Sequence, residues 1–193
     1  GKCEVTITGG NVYAYNHPNR WDIPSAAIGG AGSSDGAGDK GTVTITGGNV
    51  YAISALGTAI GGGSSRSLRG GEAMVKITGG NVTAKSIGTD SGLKPGNWID
   101  AGAGIGGGTG CSGGVQGSST AIVNGGNATI TISGNAVIKT GSIGGGKSGH
   151  KTRGNIGTAD ITVSGGDIQA QFVMAGSVLE DSDNFKSPTF TMT

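Results

Sequence analysis

Val43-Thr44-Ile45-Thr46-Gly47-Gly48-Asn49-Val50-Tyr51-Ala52 decides the fold, because the chain keeps repeating it. The same string stands at Val5 to Ala14. It returns as VKITGGNVTA from Val75 to Ala84 and as ITVSGGDIQA from Ile161 to Ala170, with a looser copy, ITISGNAVIK, from Ile130 to Lys139. A second short signature follows each copy: AAIGG at Ala26, TAIGGG at Thr58, AGIGGG at Ala103, GSIGGG at Gly141 and a degraded FVMAG at Phe172. Five copies of a two-part unit define a repeat protein.

Within a copy, Val5 and Ile7 alternate with Thr6 and Thr8. A period of two built on β-branched residues is a strand with one buried face. Gly9-Gly10-Asn11 breaks it with residues that tolerate positive φ, which makes a tight corner. Val12-Tyr13-Ala14 resumes the alternation as a second strand. After a loop of variable length, Ile28, Ile60, Ile105 and Ile143 each precede glycines, a third short strand burying one Ile. Each unit thus has three short strands and three corners.

Gly-Gly-Asn is also compatible with antiparallel hairpins. Stacking is favoured because apolar residues form columns from copy to copy. One column is Val5, Val43, Val75, Ile130 and Ile161; the next is Ile7, Ile45, Ile77, Ile132 and Val163. Val12, Val50, Val82 and Ile168 make a third, and Ala14, Ala52, Ala84 and Ala170 a fourth. A parallel β-solenoid of about five coils buries such columns and covers each coil's edge strands with the next. In the looser fourth copy, either Val137 or the pair Ala136 and Ile138 points inward. Extra residues enter only after the second strand and after the glycines, so long loops collect on one flank, often the binding side. The longest run from Tyr15 to Ser25, Ser86 to Ala101 and Thr109 to Asn127. Residues 1–177 read as the repeat domain. Residues 178–193 drop the repeat and read as a cap, with Phe185 and Phe190 covering the last coil, or as the start of a following segment.

Composition narrows the class. Of 193 residues 44 are Gly, but without a period of three and with only 4 Pro, which excludes collagen. The regular alternation excludes disorder. A net charge of +1 leaves no basic footprint for nucleic acid. No apolar run approaches the roughly 20 residues of a membrane span. Gly1 leads directly into a strand, so the chain reads as a mature product or a piece of a longer one whose neighbouring domains flank it. Cys3 and Cys111 are two cysteines for which a bridge and two separate thiols are equally open.

The candidate site rests on the only two tryptophans. Asn19-Arg20-Trp21-Asp22 precedes Ile28, and Asn97-Trp98-Ile99-Asp100 precedes Ile105, each Trp seven residues before its Ile. Strands in a sheet stand ~4.8 Å apart, so rings two coils apart lie on the order of 10 Å apart on one flank. That spacing suits stacking on sugar rings, with hydroxyls bonding to Asn19, Asn97, Asp22 and Asp100. The plainer reading has each Trp packing its own loop. Tyr13 and Tyr51 share an outward column on adjacent copies and extend a sugar-binding face. Two outward Thr columns, Thr6, Thr44, Lys76, Thr131, Thr162 and Thr8, Thr46, Thr78, Ser133, Ser164, read as good exposed strand residues. Asn11, Asn49, Asn81 and Asp167 read as a corner ladder.

Catalysis is harder to build. Solenoid polysaccharide enzymes need paired carboxylates on one face. The outward positions of the first strand read as free of Asp and Glu. Asp22 and Asp100, in loops of different length, are the alternative catalytic pair. His17 and His150 have no partner at metal-ligand spacing. No cofactor is implied; structural Ca2+ stays open with no motif to support it. The Ile-Gly-Gly-Gly element lacks the Lys-Ser/Thr and the helix of a phosphate loop, and its glycines read as close backbone packing between coils.

ITGGNVYA followed by AIGGG resembles the glycine-rich repeats of large secreted surface proteins of Gram-positive, often gut-dwelling, bacteria, commonly described as carbohydrate-binding or adhesin-like. The resemblance spans about Val5 to Gly176. It implies a right-handed parallel β-helix displayed outside the cell beside catalytic or anchoring modules. The chain departs from the pattern in its fifth second signature, FVMAG, which has lost the run of glycines that follows Ile in the others. The expected function is non-catalytic binding of a polysaccharide or of host or mucin glycan. A polysaccharide-active β-helix enzyme and a structural stalk or filament segment are the alternatives.

Overall fold

A computed structural model describes residues 1–17, 24–87, 102–110, 124–147, 155–174 and 189–193. Fourteen strands run in chain order: β1 (Lys2–Ile7), β2 (Asn11–Asn16), β3 (Ile28–Gly29), β4 (Lys40–Ile45), β5 (Asn49–Ser54), β6 (Ile60–Gly61), β7 (Ala73–Ile77), β8 (Asn81–Ser86), β9 (Ile105–Gly106), β10 (Ala128–Ile132), β11 (Val137–Gly144), β12 (Ala159–Val163), β13 (Asp167–Met174) and β14 (Thr189–Met192). The fold is all-β, with no helix among the described residues.

Every strand pairing is parallel. The first sheet has the order β1-β4-β7-β10-β12-β14. The second runs β2-β5-β8-β11-β9-β6-β3, with β13 also on β11. β11 explains that order. Its residues Val137 to Thr140 pair with β8, and Ile143 and Gly144 pair with β9, so the sheet turns back on itself. The Gly-Gly-Asn corners join strands of different sheets, β1 to β2 and β4 to β5, which rules out the hairpin alternative. Gly48 makes such a corner at φ 94°, a conformation costly for any residue with a Cβ.

The registers match the apolar columns read from the sequence. Val5 pairs with Val43, Val43 with Val75, Val75 with Ile130, and Ile130 with Ile161. Val12, Val50 and Val82 align, as do Ile28, Ile60, Ile105 and Ile143. These side chains meet in one core, where Ile45, Ile60, Ile77, Ile105, Ile130, Ile132 and Ile138 are fully buried. β-branched residues suit both requirements: they favour extended backbone, and identical shapes one strand apart pack without voids.

The open register of the fourth copy resolves here. Ile138 pairs with Val82 and Ile168 and is buried with Ala136, while Lys139 faces solvent. Burying Lys139 would strand an ammonium without a partner, so the other parity wins. Thr140 takes the place of the column alanines and bonds its hydroxyl to the Ser142 carbonyl at 3.1 Å. One further expectation changes. Copies four and five have two strands where three were expected, because no insertion separates the second and third segments and these run on as one long strand, β11 or β13. Within residues 178–193, β14 pairs with β12, placing Phe190 beside Ile161 and Met192 beside Val163. Phe185 lies outside the described residues.

A second interior has no side chains. The glycines after each third strand face the glycines that lead back to the first sheet. Asp39 N–H donates to Ala31 O, Gly63 to Asp39, Gly71 to Gly63, Gly108 to Gly71, Gly126 to Gly108, Gly146 to Gly126 and Gly157 to Gly146, all at 2.7–3.0 Å. This chain of amides zigzags between the outgoing and returning arms through successive copies. A Cβ on Gly63 would overlap the carbonyl of Ala31, and one on Gly108 that of Gly63. The expected close backbone packing is present, and it is the absence of side chains that brings donor and acceptor within bonding distance.

Candidate functional site

The described part of the site is the outer face of β2, β5 and β8. Because Val12 and Ala14 point inward, Asn11, Tyr13 and Tyr15 point out. Register places Tyr51 beside Tyr13 and Ile53 beside Tyr15. The Tyr13 and Tyr51 rings lie 6.4 Å apart at 54°, a tilted contact. Tyr15 stacks on His17 at 5.9 Å and 26°. Tyr13 is 80% exposed, Tyr15 63% and Tyr51 39%. All three tyrosines of the chain therefore stand on one patch, Tyr13 and Tyr15 largely in water and Tyr51 partly so, on backbone fixed by two parallel ladders.

Beside this aromatic step runs an amide ladder. Asn49 Nδ2 donates to Asn11 Oδ1 at 2.8 Å, and Asn81 Nδ2 to Asn49 Oδ1 at 2.9 Å. The next strand offers Val137 in that column, so the ladder stops at Asn81 and the expected extension to Asp167 is not made. Each ladder amide keeps one N–H for another acceptor. Aromatic faces next to unused amide donors are what a sugar needs: C–H surface on the ring and hydroxyls on the amides.

Trp21, Trp98, Asn19, Asn97, Asp22 and Asp100 lie outside the described residues. So do His150 and Cys111. Of the expected site, the structure places Tyr13 and Tyr51 and brings them together. Sequence reading left Tyr15 out of the site and weighed His17 only as a metal ligand, although Tyr15 follows Tyr13 at the strand period and so had to share its face. Cys3 is a half-buried thiol in the inward column otherwise held by Gly41, Ala73, Ala128 and Ala159.

The first sheet corrects one expectation about carboxylates. Glu4 and Asp160 do occupy outward positions, in the column Glu4, Thr42, Met74, Thr129, Asp160. They precede the V-T-I core of the repeat, which is why counting from Val5 missed them. Four strand steps of ~4.8 Å put them about 19 Å apart. A glycosidase pair spans only about 5–9.5 Å, so these two cannot act together on one bond. No group of three or more His, Cys, Asp or Glu able to hold a metal occurs among the described residues.

No family model, curated protein or solved structure matches the chain.

Proposed function

We propose that the chain is a non-catalytic, carbohydrate-binding or adhesion module built on a right-handed parallel β-helix of about five coils, with its long loops on one flank. The all-parallel registers, in which each strand of a copy pairs with its equivalent in the next, support the helix. The carrying observation for function is the exposed step of Tyr13, Tyr51 and Tyr15 beside the asparagine ladder. Large aromatic surface left in water on rigid backbone is surface held for a partner. The reading also assigns sugar contacts to Trp21, Trp98, Asn19, Asn97, Asp22 and Asp100, which lie outside the described residues. On the resemblance stated above, the module acts outside the cell, secreted or on its surface, among neighbouring domains, and meets polysaccharide or mucin glycan.

The test is retention on polysaccharide and mucin columns. Tyr13→Ala with Tyr51→Ala, and separately Trp21→Ala with Trp98→Ala, should each weaken retention about tenfold, roughly 1.4 kcal/mol, with unchanged far-UV circular dichroism. Full retention in both double variants removes the aromatic residues from binding and ends the proposal. Sugar release abolished by Asp22→Asn or Asp100→Asn would establish the enzymatic alternative in its place.

A further inference from the structure

The outward column that begins with Tyr13 and Tyr51 does not end there. It continues through Thr83 on β8 and Lys139 on β11. The neighbouring outward column runs Tyr15, Ile53, Lys85. Along the stack, therefore, one face changes from aromatic to basic. Lys85 and Lys139 are both exposed, and neither makes an ion pair with a described residue. On the described parts of these strands the one outward acid is Asp167, on β13, beside Val137 and beyond the tyrosines. From Tyr51 to Lys139 is two strand steps, on the order of 10 Å, the reach of about two sugar rings.

We propose that this face takes an anionic glycan, a linear chain carrying carboxylate or sulfate groups, laid across the strands along the stack. The inference rests on the glycan-binding reading and names its ligand class. One sugar ring covers Tyr13 and Tyr51 through its C–H face. The asparagine ladder alongside receives hydroxyls. An acidic group two rings further on meets the ammonium groups of Lys139 and Lys85 in charge-assisted hydrogen bonds. Because these lysines stand in water, their attraction is screened by salt, whereas the stacking is not.

The experiment uses the whole chain and two matched pairs of polymers, read by calorimetry. Polygalacturonate is set against its methyl-esterified form, and a sulfated galactan against the same galactan desulfated. Each pair shares a backbone and differs in charge. At least one acidic member should bind about tenfold more tightly than its neutral counterpart at low salt, and which pair shows this assigns the acid as carboxylate or sulfate. Lys85→Ala with Lys139→Ala should erase the preference and keep the weaker neutral binding. Tyr13→Ala with Tyr51→Ala should weaken both members together. Equal binding within both pairs, or a preference that survives loss of both lysines, overturns the inference and leaves glycan binding standing. Binding to none of these polymers, nor to the columns above, brings down both.

Discussion

At the residue scale, glycine occupies three kinds of position, and substitution by alanine distinguishes them. Gly9 has open space where a Cβ would go and no positive φ, so Gly9→Ala should change stability by less than about 0.5 kcal/mol. Gly10 has the same open space but φ of 80°, so Gly10→Ala should cost about 1–2 kcal/mol from the backbone alone. Gly63 meets the backbone of Gly30 and Ala31, which cannot swing aside as a side chain would. Gly63→Ala should cost 3 kcal/mol or so, at the upper end of overpacking. Urea midpoints of the three variants give the ranking. Asn49 acts differently: it both donates and accepts in the ladder, so Asn49→Ala should lose about 1 kcal/mol by the same measurement.

At the scale of elements, position along the stack decides what a strand contributes. Ile105 on β9 lies between Ile60 and Ile143 and is wholly buried. Ile105→Ala should cost about 2–5 kcal/mol. Val173 holds the equivalent place on β13 but is 40% exposed. Val173→Ala should cost about 1 kcal/mol or less, since a large part of its surface is already wet and there is less burial to lose. Thermal unfolding of the two variants checks the contrast. The same elements show what the sequence made legible. Strand positions and columns were readable because Val and Ile recur with Thr at period two, and burial enforces that pattern. β14 was not, because Phe190 and Met192 keep the alternation in residue types other than Val and Ile. The parity of β11 stayed open because both choices offered apolar side chains, and only the solvation of Lys139 separates them. Of the site, Tyr13 and Tyr51 were legible as a column. The lysines that continue it were not, because they sit in copies whose neighbouring residues differ. The bonding partners of the glycines were hidden, since a run of Gly says where a close approach occurs and not what approaches.

On the scale of the whole molecule, each strand pairing joins residues about thirty or more positions apart, as in Val43 with Val75 and Ile130 with Ile161. Closing such loops before any contact rewards them makes folding slow. Refolding by stopped-flow fluorescence should take seconds rather than milliseconds. The side-chain-free seam between the glycine arms carries a different consequence. Its bonds are made by main chain alone, so they do not depend on which copy supplies either partner. Excising residues 43–74 joins Thr42 to Val75 and delivers Ile77, Val82 and Ile105 to the places of Ile45, Val50 and Ile60. Such a shortened protein should keep its per-residue circular dichroism. Unequal recombination at the gene can thus add or drop a whole unit while the molecule changes only in length.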